Sequence, residues 1–120
     1  MNVKETSIQK HLRIKSSGLA RYKKDYLSYT KELLSDQERL QKSKDEAKDE
    51  ITIKQQEQVV VETKTMIDNS RKQIIIGLEE LQRFIEENED DQGMKDGEQW
   101  KKVEEIIENT KNFIDTNLNI

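Results

Sequence analysis

Cysteine and proline are absent from this chain of 120 residues, glycine occurs four times, and aromatic residues make up 5%. Without cysteine there is no disulfide framework, no thiolate ligand for zinc and no thiol nucleophile. The lack of proline and the scarcity of glycine argue against sandwiches, barrels and Pro-rich linkers, and suit long helices. Long apolar runs are missing too. Residues 1–15 hold none of signal-peptide length, and no segment approaches a membrane span, so a soluble cytoplasmic protein of one domain, 1–120, is expected.

What is present is charge. Hydrophobic residues are 32% of the chain, charged residues 38%, and the mean hydropathy is −1.03. Such values border on disorder, but thin helical bundles share them, because each helix buries one stripe and solvates the rest. Periodicity decides for the bundle. Thr6-Ser7-Ile8-Gln9 has the form of a capping box, and from Ile8 the stripe Leu12, Lys15, Leu19, Tyr22, Tyr26, Tyr29, Leu33, Asp36, Leu40 steps four and three without a slip. Gly18 costs about 1 kcal/mol in a helix interior, so a start after Gly18 with a loose N-terminal arm stays open.

The stripe stops at Leu40 and resumes out of phase at Ile53, which places a turn around 45–51 with Thr52 as the next N-cap. The second helix carries Ile53, Val60, Ile67, Ile74 and Leu81, widened by Val59, Met66, Leu78 and Ile85. Gln56, Thr63, Ser70 and Gly77 form a strip of small or polar residues over which the three tyrosines of helix one can pack. Gly93 and Gly97 mark an acidic loop, and Asp96-Gly97-Glu98-Gln99 offers a third cap. A shorter helix follows with Trp100, Val103, Ile107, Thr110 and Ile114, so part of the first two helices pairs as a two-stranded arm or meets another surface.

The expected fold is therefore all-α: an elongated, antiparallel up-down-up three-helix bundle of coiled-coil type. Its helices fall at about 7–44, 53–89 and 97–117, after a flexible start at 1–6. Charge asymmetry agrees with that topology. Residues 1–31 carry eight Lys/Arg against two acids, whereas 79–108 carry twelve acids against four Lys/Arg, and antiparallel pairing brings the two together.

No catalytic constellation is visible, and no enzyme, cofactor or metal is expected. His11 is the only histidine and has no nucleophile at a useful spacing. Asn88-x-Asp90-x-Gln92-Gly93 echoes the opening of a calcium loop, but Gln99 stands at the twelfth position where a bidentate Glu is needed. The basic run 10–24 does not read as a nucleic-acid site, because Tyr22 and Tyr26 belong to the core stripe and the pI is about 5.2. Protein binding remains. The triplets Val59-Val60-Val61 and Ile74-Ile75-Ile76 are wider than one buried stripe, so Val61 and one of Ile75 or Ile76 should face outward, on a side that also admits a homodimer.

Three stretches together resemble the tubulin-binding cofactor A family. Leu12-Arg13-Ile14-Lys15-Ser16-Ser17-Gly18, followed by Arg21, Lys24, Tyr29 and Lys31-Glu32, is similar to the family's L-K-I-K-T-G opening. Ile53-Lys54-Gln55-Gln56-Glu57-Gln58-Val59 resembles its D-I-K-K-Q-x-E-x-L segment, and Glu62-Thr63-Lys64-Thr65-Met66-Ile67-Asp68 its E-S-R-M-M-I-P-D segment. The likeness covers about 9–110. Asp68 stands where the family has proline, so the kink of a mid-helix proline should be absent. Ile51 and Thr52 replace a Tyr-Asp pair, which removes any contact made by that aromatic.

The resemblance implies a non-catalytic tubulin-folding cofactor that captures β-tubulin folding intermediates through a broad surface, with other tubulin-folding cofactors as further partners and a cytoskeletal association. It implies Lys15, Lys54, Gln56, Glu62 and Lys64 as tubulin-binding residues. A general coiled-coil interaction module, such as a spectrin-like repeat or a membrane-traffic adaptor bundle, is the alternative.

Overall fold

The computed structural model describes residues 4–118. Helix α1 spans Ser7–Asp45, α2 Glu50–Glu87 and α3 Gly97–Phe113, and a wider π-type turn, Ile114–Leu118, completes the order. Among the described residues there is no strand, and no helix is long and apolar enough to cross a membrane. The class is all-α, as the periodicity required.

The caps set the boundaries. The Thr6 N–H donates to Gln9 Oε1 at 3.0 Å and the Gln9 N–H to Thr6 Oγ1 at 3.1 Å, a reciprocal capping box. Gly18 lies inside α1, so the helix does not wait for it. Of the start expected to be flexible, 1–3 fall outside the described residues. Glu5 meets the Arg13 guanidinium at 2.9 and 3.2 Å, and that hydrogen bond holds the Glu5 carboxyl below its ordinary 4.5.

The second cap differs from expectation. Helix α2 begins at Glu50 because the Asp49 carboxylate accepts the Thr52 N–H at 2.7 Å; Asp49, not Thr52, is the N-cap. The turn before it contains no glycine, yet Ala47 takes φ +53°. The Ala47 N–H donates to the Lys44 carbonyl and the Lys48 N–H to the Ser43 carbonyl, a Schellman closure at the end of α1. Left-handed alanine costs about 1–2 kcal/mol, which these two bonds offset.

That cap makes a test. The Thr52 backbone N–H, and after it the Thr52 hydroxyl, hold the Asp49 carboxyl below its ordinary 3.8. A lowered folded-state value means the contribution is fully present above pH 3.8 and is lost as pH falls through the folded value. Asp49→Ala is therefore expected to lower the melting temperature at neutral pH, with the gap to wild type closing as the carboxyl protonates in acid. A gap unchanged in acid would contradict the cap.

Helix α3 opens differently again. Asp96 is its N-cap in an extended conformation, but its side chain makes no cap bond. Gln99, expected to complete a capping box, instead donates through Nε2 to the Gln9 carbonyl, and Gln9 Nε2 donates to the Gly93 carbonyl at 2.9 Å. The acidic loop is thus tied to the first turn of α1. Gly97, at φ +77°, supplies the left-handed residue that the entry to α3 requires.

The chain divides into two compact units, one from the described part of Met1–Lys23 and Lys72–Ile120, the other Lys24–Arg71. In the first, Leu19 packs where a Cβ on Gly77 would lie 3.2 Å from Leu19 Cδ1, and Lys15 lies over Phe84, so α1 and α2 run antiparallel. Gln9 meets Gln99, and Ser16 and Ser17 share a cleft with Val103 and Ile106, so α3 runs parallel to α1. This is the expected up-down-up three-helix bundle. Its core is Leu12, Leu19, Ile74, Leu78, Leu81, Met94, Val103 and Leu118. Met94, in the loop, has no place in a heptad reading. The basic residues of α1 in this unit form no ion pair with the acids of 79–108 among the described residues, so the charge asymmetry acts only as a diffuse field.

The second unit holds portions of α1 and α2 only. Asp36 meets Thr63, and Arg39 lies near Gln56, again antiparallel pairing. Val60 is its buried apolar residue; Asp36, Ser43, Thr63 and Ser70 are its buried polar ones. A seam this polar holds two helices in register but excludes little apolar surface. The two-stranded arm foreseen from the shortness of helix three has this composition. Helix α2 runs unbroken through Asp68, as the missing proline requires.

Candidate functional site

Because the second unit has two helical segments and a polar seam, its apolar residues are only partly covered. Val59 and Met66, read from sequence as flanks of the buried stripe, are 39% and 42% exposed. The unit contributes no third helix of its own among the described residues. Val61 is 54% and Ile76 44% exposed, the outward positions anticipated from the two triplets. Leu27, Leu34 and Ile51 are also exposed, a feature the stripe reading missed. Their signal was present: Leu27 and Leu34 are seven apart and off the stripe, on the side of α1 away from Tyr29.

A groove of about 580 Å³ runs along this unit. Tyr29 and Glu32 of α1 line one side; Gln58, Val59, Val61, Glu62, Thr63, Thr65 and Met66 of α2 line the other. Its surface is mostly apolar. The charged residues in the lining are Glu32 and Glu62, both acidic and exposed. On the groove floor the Thr63 hydroxyl donates to Asp36 Oδ2 at 2.7 Å, which fixes the two helices where the groove is formed.

The five residues expected to contact a partner do not form one patch. Glu62 lines the groove and accepts from Gln58 Nε2 at 3.4 Å. Gln56 is half-buried, lining a small cavity with Asp36, Arg39 and Val59, and its Oε1 is buried without a hydrogen-bond partner. Lys54 is exposed and pairs with Glu50 at 3.0 Å, and Lys64 is exposed. At about 100° per residue, these four positions point to separate sides of α2. Lys15 belongs to the first unit, half-buried with Nζ 5.6 Å from the Phe84 ring centroid.

The remaining sequence features are absorbed locally. His11 is exposed, with Nδ1 2.7 Å from the Ser7 carbonyl oxygen and its ring 5.8 Å from that of Phe84. In the acidic loop Asp91 Oδ1 accepts the Gly93 N–H, and the Asn88 amide donates to the Phe84 carbonyl. Those side chains shape the loop itself. No group of three or more His, Asp or Glu among the described residues is arranged to hold a metal. The arrangement offers a broad, partly apolar surface for binding.

Comparison with known proteins agrees with this architecture. The family model described as tubulin binding cofactor A matches residues 7–116. A tubulin-specific chaperone A from Dictyostelium discoideum is 37% identical over 103 residues, covering 83% of this chain and 88% of that protein. The human tubulin-specific chaperone A is 24% identical over 102 residues, covering 85% and 92%. The crystal structure of tubulin folding cofactor A from Arabidopsis thaliana superposes with a TM-score of 0.70 at 26% identity, covering 88% of this chain and 97% of that one.

Proposed function

The chain belongs to the tubulin binding cofactor A family, and from that premise we propose that it captures β-tubulin folding intermediates by surface binding, without catalysis. The observation that carries the reading is the family match along the helices, 7–116, including the segment that lines the groove. An open surface with apolar and charged groups suits a client that is itself a folded or nearly folded protein, since such clients offer area rather than a small ligand. Glu62 is the contact residue best placed for this. Lys15, Lys54, Gln56 and Lys64 add contacts only if the client reaches beyond the groove. Other tubulin-folding cofactors are further partners in this reading, and the protein works in the cytoplasm beside the cytoskeleton.

Purified chain mixed with β-tubulin and run on gel filtration is expected to co-elute with it, and not to co-elute with α-tubulin alone. Separate elution from β-tubulin would end this reading.

A further inference from the structure

We propose that the groove of the Lys24–Arg71 unit receives one amphipathic helix of the client, with apolar residues seated between Tyr29 and the Val59/Met66 side and with Lys or Arg on its flanks facing Glu32 and Glu62. The inference deepens the tubulin-binding reading and rests on it for the source of that helix.

Three observations lead to this occupant. The groove is flanked by two helices, with no strand among the described residues, so added backbone cannot join a sheet edge and a helix face is what fits. The first unit shows the same pair of helices with a third laid against them, whereas the second has none of its own. Charge then selects the chemistry. Val59 and Met66 are about two-fifths exposed, and the charged groups in the lining, Glu32 and Glu62, are both carboxylates, which favours a cationic partner and disfavours an acidic one.

The same argument turns away a second copy of this chain. An isologous contact places one patch against itself, so Glu32 and Glu62 of both copies would crowd one apolar contact without a Lys or Arg in the groove lining to answer them. At about 580 Å³, the groove holds the few side chains of two or three helical turns. It is too open to enclose a small molecule, whose pockets cover most of the ligand.

The test uses the full chain, a Glu32→Lys/Glu62→Lys variant and a Val59→Gln/Met66→Gln variant. All four positions are exposed, and unchanged circular dichroism and melting would verify folding. Two probes are compared: β-tubulin, and a fluorescein-labelled helical peptide of about 18 residues with Leu on one face and flanking Lys, alongside its Lys→Glu counterpart. Wild type is expected to bind the Lys peptide and not the Glu peptide. Both variants should lose about tenfold or more in affinity for the Lys peptide and for β-tubulin, with the wild-type interaction weakening as salt rises.

Wild-type and variant chains that bind β-tubulin equally would overturn the groove and leave the tubulin reading standing. Loss of β-tubulin binding by wild type, with selective and variant-sensitive binding of the Lys peptide, would keep the groove's chemistry and remove tubulin as its source. No preference for the Lys peptide overturns the proposal whatever tubulin does. So would a wild-type dimer in sedimentation that the Glu32→Lys/Glu62→Lys change dissociates, because the occupant would then be a second copy.

Discussion

Leu81→Ala is expected to destabilise the protein by about 3 kcal/mol, within the range of roughly 2–5 measured for fully buried leucines. The reason is geometric. Leu81 is 0% exposed in the one unit where three helices meet, so its removal loses transfer free energy and leaves a cavity that helices packed on several sides cannot close. Leu34→Ala is the control. At 63% exposure its loss should stay within about 0.5 kcal/mol. Urea unfolding followed by circular dichroism measures both. If the two substitutions cost the same, Leu81 is not the core residue described.

The second large effect concerns the buried Asp36–Thr63 bond. Thr63→Val keeps the shape of the side chain but leaves a carboxyl, 6% exposed, without its 2.7 Å donor. Arg39 stands 4.0 Å off, too far to replace that bond. A cost of about 1–3 kcal/mol is expected. Asp36→Leu combined with Thr63→Val removes both polar groups, and the double variant should be at least as stable as wild type, because the carboxyl no longer has to be desolvated. Denaturant midpoints for the single and double variants close the cycle. A neutral Thr63→Val would show that Asp36 does not depend on this donor.

Both expectations rest on a physical difference between the two units. One unit is held by apolar burial among three helices and the other by a mostly polar seam between two, which leaves Leu27, Leu34, Val59, Val61 and Met66 of the second exposed. A binding surface needs this kind of partial exposure, and a better-buried arm would have nothing left to offer a client.

How much of this was legible in advance follows from which interactions are local. Helix number, order and class follow from stripes spaced three and four apart, since the side chains that meet on one helical face are set by sequence distance alone. The capping box at Thr6 is local too, and was readable. The Asp49 cap was harder, because Asp49 and Thr52 both fit the pattern and only the backbone of the turn chooses between them. A glycine-free turn closed by left-handed Ala47 carried no turn signal at all.

The surface was less legible. The family resemblance singled out Lys15, Lys54, Gln56, Glu62 and Lys64, but a helix turns neighbours such as the last four to different sides, and only Glu62 of the five lines the groove. Glu32, Tyr29 and Val59 join it from distant or unremarkable positions. By itself, then, the sequence determined the three helices, their order, the continuity of the second through Asp68 and the family. Only the tertiary structure decided which apolar residues stay uncovered, because exposure depends on which segments, far apart in the chain, come to lie against one another.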